Sequence, residues 1–180
     1  MGDIPTLPTF AAGERLTAAK LNALAAAQAF WTLPPRAAAY QNVPQSIPTA
    51  TYTMVSLGAE IFDVVQAGDT EMHSVSTNKS RITIRTAGKY SVTGQISYAA
   101  SATGSRKCLI VKNGVTVLAE AGMVALPGGM TSVIGAGPVI APLNPGDYLE
   151  LQAYHDRGSA LNTDTTFVGS TWLQVLLDSA

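Results

Sequence analysis

The stretch from Thr86 to Ala100, TAGKYSVTGQISYAA, constrains the fold of this chain more than any other. Tyr90, Val92, Ile96 and Tyr98 fall on one side of a period-two pattern, with Gly94 among them, while Ser91, Thr93, Gln95 and Ser97 fall on the other. Successive side chains of a strand point to opposite faces, so the pattern predicts a strand with one face buried. Gly88 ends the preceding run and lets the chain turn before the Tyr90 ring.

From Thr49 onward the same design repeats. The pattern predicts strands over Thr51 to Leu57, Glu60 to Val64, Ser80 to Arg85, Lys89 to Ala99, Arg106 to Lys112, Val115 to Ala121, Met130 to Ala141, Tyr148 to His155 and Thr165 to Leu177. Asn113-Gly114, between CLIVK and VTVLA, is a two-residue hairpin signal, because a type I′ turn needs positive φ at both central positions. Asn144-Pro145-Gly146-Asp147 is a second tight turn. Many short antiparallel strands without intervening helices indicate a sandwich or jelly roll.

The first 48 residues read differently. Pro5 and Pro8 make Met1 to Phe10 an extended arm. LTAAKLNALAAAQAFW then predicts a helix with Thr17 as N-cap and a narrow stripe of Leu21, Leu24, Gln28 and Trp31. So short a helix needs a partner. Three remain open: its own copies around a threefold axis, a groove on a larger protein, or its own domain. Pro34, Pro35, Pro44 and Pro48 make Thr32 to Pro48 a linker, so the expected division is an N-terminal attachment segment, 1–48, and a head domain, 49–180.

Charge limits the function classes. Asp, Glu, Lys and Arg make up 13% of the chain, against roughly 25% in an average soluble domain. With 47% hydrophobic residues, such a surface is expected to be partly hidden in an assembly. A net charge of -1 leaves no electrostatic footprint for nucleic acid or an anionic membrane. No secretory signal and no bilayer-spanning run is read at the sequence level.

The Gly88-x-Tyr90 start, the Asn113-Gly114 hairpin, the Gly146-Asp147-Tyr148 turn and the closing TFVGSTWLQVLL resemble the globular head of the complement C1 recognition subunit and the tumour-necrosis-factor superfamily, over about Thr49 to Asp178. The resemblance implies a mainly β, ten-stranded antiparallel jelly roll that assembles as a homotrimer, and Phe167, Gly169, Trp172 and Leu173 match the family's last strand near the threefold axis. Tyr90, Tyr98, Phe167 and Trp172 are the expected trimer contacts. No collagen-like repeat precedes the head. The arm, helix and Pro-Pro linker instead look like those of small bacteriophage virion proteins: head fibres, decoration proteins or minor tail proteins. That likeness implies a virion location on capsid or tail, with Leu16, Leu21, Leu24 and Trp31 as anchors to major capsid or tail proteins. The alternative is a tail-associated receptor-binding protein for a host surface glycan, with Tyr154, Asp156, Arg157 and Asn162 as contacts.

Catalytic signals are sparse. His73 and His155 are far apart, Cys108 has no histidine beside it in its apolar run, and no nucleophile, base and oxyanion set is recognisable, so no enzyme is expected. Asp63, Asp69, Glu71 and His73 concentrate metal-ligand types in one loop region, but their spacing fits no EF-hand and a solvated acidic loop is the preferred reading; neither metal nor cofactor is assigned. Arg106 and Lys107 read as a solvated strand end, and LPGGMTS lacks the lysine of a phosphate loop.

Overall fold

A computed structural model describes residues 4–179; Met1 to Asp3, the start of the expected arm, and Ala180 lie outside the described residues. In chain order the elements are helix α1 (Ala18–Thr32) and strands β1 (Arg36–Tyr40), β2 (Ser46–Ile47), β3 (Thr53–Met54), β4 (Ala59–Val64), β5 (Arg81–Thr83), β6 (Gly88–Tyr98), β7 (Ser105–Lys112), β8 (Thr116–Val124), β9 (Ser132–Leu143), β10 (Tyr148–His155), β11 (Leu161–Asn162) and β12 (Trp172–Ser179). Ten of the strands make two antiparallel sheets of a jelly roll. The first runs β4-β1-β12-β6-β9; the second runs β3-β10-β7-β8 with β5 also on β10, and β2 pairs with β11 apart from both.

The core lies between the two sheets. Tyr90, Val92, Ile96 and Tyr98 point into it from β6, Leu173 and Val175 from β12, and Ile110, Leu149 and Leu151 from the second sheet. Gly94 takes an inward position in the middle of β6 without a side chain because a Cβ there would stand 2.6 Å from the Leu151 side chain. Both predicted turns form. Asn113 and Gly114 have φ of 54° and 71° between β7 and β8. The Asn113 amide donates to Asp147 Oδ1 at 2.8 Å and its carbonyl oxygen accepts the Tyr148 N–H at 2.9 Å, tying the hairpin to the second turn.

Four expectations need correction. The predicted linker, Thr32 to Pro48, contains β1, which sits between β4 and β12 with Ala37, Ala38 and Ala39 buried. Three consecutive alanines carry little intrinsic strand preference, so pairing on both sides makes this strand, and the sheet begins before the expected boundary at residue 49. At the other end, β12 starts at Trp172 rather than Thr165; Phe167 stands outside it in a turn where its carbonyl accepts the Ser170 N–H at 3.0 Å. Tyr90 and Tyr98, expected at a trimer contact, are each 0% exposed within one subunit. Their rings fill the inter-sheet core and reach no second copy.

The fourth concerns α1. Thr17 caps it as expected, its hydroxyl accepting the Lys20 N–H at 3.3 Å. The buried positions, however, are Ala27 and Phe30, while Leu21, Leu24 and Trp31 stay exposed. Phe30 joins the core and the last turn folds back on its own domain, the third of the open alternatives. The arm is also held: Lys20 Nζ donates to the Thr9 carbonyl at 2.7 Å and pairs with Glu14, and Ile4 packs against the core.

Candidate functional site: the outer face of the first sheet and the exposed helix stripe

Because β-strand side chains alternate, the first sheet carries a second face that its own core does not cover. Strand register arranges that face in rows. One row is Val64, Arg36, Leu176, Ser91 and Ile140; the next is Phe62, Ala38, Gln174 and Thr93; the third is Tyr40, Trp172, Gln95 and Gly135. Arg36 is the one charged side chain in these three rows, and its guanidinium lies 5.6 Å from the centre of the Phe62 ring. Aliphatic, aromatic, hydroxyl and amide groups make up the remainder.

Beyond the third row the face continues into a cavity of about 420 Å³ bordered by Gln95, Thr131, Val133, Phe167 and Val168. Phe167 is 74% and Val168 84% exposed, and Val133 also stands in solvent. Trp172 and Phe167, two of the four expected trimer contacts, therefore lie at this surface, with Trp172 half-buried. Leu176 and Ile140 carried no expectation from the sequence. Their signal was the outward half of each alternation, which carries Val133 and Ile140 on β9 and Trp172 and Leu176 on β12.

On α1 the expected anchors Leu21, Leu24 and Trp31 form one exposed stripe, with Leu16, the fourth expected anchor, exposed just before the N-cap. The exposed Leu7, Phe10 and Leu33 extend the apolar surface on either side of the helix.

The expected glycan contacts do not converge on one cavity. The Tyr154 ring stacks on Tyr52 with centroids 4.6 Å apart. Asp156 accepts the Ser105 N–H, which holds its carboxyl below the usual carboxylate range. Arg157 donates to the Ala160 carbonyl at 2.8 Å, and Asn162 lies exposed on β11.

The histidines and the cysteine are consumed by structure. His155 is buried, with Nε2 2.8 Å from the Ile47 carbonyl and Nδ1 accepting the Arg157 N–H at 3.3 Å. His73 is buried with Nδ1 3.0 Å from Glu60 Oε1 and Nε2 3.2 Å from the Lys79 carbonyl, so neither nitrogen faces an ion site. Asp63 receives the His73 N–H at 2.9 Å, and burial pushes its carboxyl up. No group of three or more His, Cys, Asp or Glu side chains able to hold a metal occurs among the described residues. Burial pushes the Cys108 thiol up to about 12. Arg106, expected at a solvated strand end, is instead fully buried beneath the loop that precedes it. No helix among the described residues is long and apolar enough to cross a membrane.

No family model matches the sequence, and no curated protein matches it. Solved structures do match. The globular domain of zebrafish complement 1qA protein aligns at 13% identity over 79% of this chain and 96% of its own, with a TM-score of 0.52. An Eiger TNF from S. frugiperda aligns at 10% identity over 81% and 94%, with a TM-score of 0.56. Murine APRIL at pH 5.0 aligns at 14% identity over 79% and 98%, with a TM-score of 0.58. The fold is thus a jelly roll of the complement C1q and tumour-necrosis-factor type. At these identities the likeness extends to the fold alone.

Proposed function

We propose that this chain is a structural protein of a bacteriophage particle: a homotrimer whose N-terminal segment attaches to capsid or tail and whose jelly-roll head faces solvent. The observation that carries the reading is the outer face of the first sheet, where three rows of aliphatic, aromatic and amide side chains include a single cation. Ile140 on that face is exposed and Phe62, Tyr40, Trp172 and Leu176 are half-buried within one subunit, and apolar surface left open in this way marks an interaction site. Closed symmetry allows identical copies to cover it without opening a fibre. The jelly-roll likeness supports the same arrangement. The second uncovered surface, Leu21, Leu24 and Trp31 on α1, fits a groove on the particle. No catalytic chemistry enters this function.

Sedimentation of the full chain tests the assembly. The wild type is expected at three times the subunit mass and Trp172→Glu as a monomer; a wild type that stays monomeric at high concentration would sink the proposal. Attachment is tested with Leu21→Asp, which should leave the head folded and particles undecorated. Normal decoration by that variant rules out the helix as anchor.

A specific feature favours a second reading, host-glycan recognition. Tyr52 is 49% exposed beside Tyr154, and Lys107, paired with Glu120 at 2.6 Å, lies 5.9 Å from the Tyr154 ring centre. A ring flanked by a cation and a carboxylate can stack on a sugar and bond its hydroxyls. Loss of cell binding in Tyr52→Ala with the trimer intact would establish this reading over the first.

A further inference from the structure

On the second sheet, Arg81, Thr83 and Arg85 succeed one another at spacing two and so project to the same side of the extended segment that includes β5. Facing them is the stretch Glu71 to Ser74, held alongside by a bridge between His73 and Ile82 and by the Thr83 N–H on the Met72 carbonyl at 2.6 Å. Between the two stretches lies a cavity of about 130 Å³, large enough for a small oxyanion, whose lining includes Arg81, Arg85, Thr83, Ser74, Thr77 and Asn78.

Each guanidinium is fixed by one edge. Arg81 donates Nε to Glu150 at 3.0 Å and lies 4.0 Å from the Tyr148 ring centre, and its two terminal nitrogens make no hydrogen bond among the described residues. Arg85 donates Nε and one terminal nitrogen to the Glu71 carbonyl, and its other terminal nitrogen makes no hydrogen bond among the described residues. The wall between them is rigid, because His73 beneath it is bonded at both ring nitrogens. Donors dominate the lining. From Glu71 to Arg85 the chain carries Lys79, Arg81 and Arg85 against the single carboxylate of Glu71, in a protein whose net charge is -1. Two pre-set guanidinium edges with hydroxyl and amide donors suit a planar or tetrahedral oxyanion.

We propose that this cavity binds a phosphate or carboxylate group, borne on a surface polymer or free in solution. The Glu71 carboxylate at the rim sets an upper limit on how much negative charge enters. The pocket belongs to one chain and to the sheet opposite the proposed threefold face, so the proposal stands whether or not the chain trimerises.

Calorimetric titration of the full chain at low salt, with inorganic phosphate and separately with glucuronate, tests it. One saturable site per chain is expected for at least one probe. Tighter phosphate binding assigns a phosphate-bearing ligand; tighter glucuronate binding assigns an acidic sugar. Arg81→Gln and Arg85→Gln should each weaken binding about tenfold, and Thr83→Val, which touches no ion pair, should weaken it a few-fold. Lys107→Gln, on the same sheet but outside the cavity, should leave it unchanged. Absence of saturable binding of both probes overturns the proposal. So does unchanged affinity in a folded Arg81→Gln/Arg85→Gln double variant.

Discussion

Tyr98 of the first sheet reaches across the core to Tyr154 of the second, where its hydroxyl accepts the Tyr154 N–H at 3.0 Å. The same hydroxyl donates to the Lys107 carbonyl at 2.6 Å. Tyr154 and Lys107 are cross-strand partners of β10 and β7, so a side chain of one sheet is spliced into the main-chain ladder of the other. Burial of that hydroxyl raises its pKa. Tyr98→Phe keeps the ring and leaves a main-chain donor and acceptor unpaired. It should cost about 1–3 kcal/mol, read as a lower urea midpoint with an unchanged slope; a midpoint equal to wild type would mean the splice contributes nothing.

Arg106 plays a comparable part for a loop. Its guanidinium is 0% exposed and donates to the carbonyls of Ser101 at 2.9 Å, Thr103 at 3.1 Å and Gly104 at 3.2 Å. The loop is moulded around a buried cation that has no carboxylate in hydrogen-bond contact among the described residues. Arg106→Met would leave the Ser101 and Thr103 carbonyls without donors, at about 1–3 kcal/mol for each that water cannot reach, while the Gly104 carbonyl keeps the Ala125 N–H. Faster amide exchange is expected through residues 101–105 and at Ala125, whose N–H bonds the Gly104 carbonyl. Protection unchanged from wild type would contradict this account.

Cys108 supplies a chemical probe of the closed core. With its thiol pushed up to about 12, about one molecule in ten thousand is ionised at pH 8. A disulfide reagent should label the native chain at a rate that tracks unfolding, and should label it within seconds in denaturant. Rapid labelling under native conditions would show that the space between the sheets opens.

Asp147 gives the acid limb of stability. Burial acts to raise its carboxyl pKa, but the Asn144 N–H at 2.8 Å, Lys112 at 2.8 Å and the Asn113 amide outweigh it, and the carboxyl lies below its ordinary 3.8. A lowered folded-state value means stability that is present above the unfolded pKa and lost as the pH falls through the folded one. Asp147→Asn should lower stability at pH 7 by about 1 kcal/mol, read as a lower urea midpoint, and flatten the decline expected of wild type below pH 3.8. Parallel pH profiles for the two proteins would assign the acid limb to other groups.

Local chemistry made much of the fold legible. The alternation of β6, the positive φ at Asn113 and Gly114 and the turn closed by Asp147 all follow from neighbours in sequence, and each is found where the sequence places it. Strand β1 was illegible for the converse reason: Arg36 to Tyr40 has little strand preference of its own and exists because β4 and β12 pair with it on both sides.

The candidate sites divide along the same line. A period-two pattern states that one face of a strand is buried, never what buries it. The sequence by itself determined that Tyr90 and Tyr98 leave water and that Trp172 lies on the last strand. Only the tertiary structure decided that the two tyrosines meet the molecule's own second sheet, while Trp172, Leu176 and Ile140 are left facing outward. On the alanine-rich helix, where apolar groups occur all round, it alone chose Ala27 and Phe30 for the inside and left Leu21 and Leu24 exposed. Solvation can be read from residue type and spacing, but the partner of a surface depends on which distant segments of chain arrive beside it.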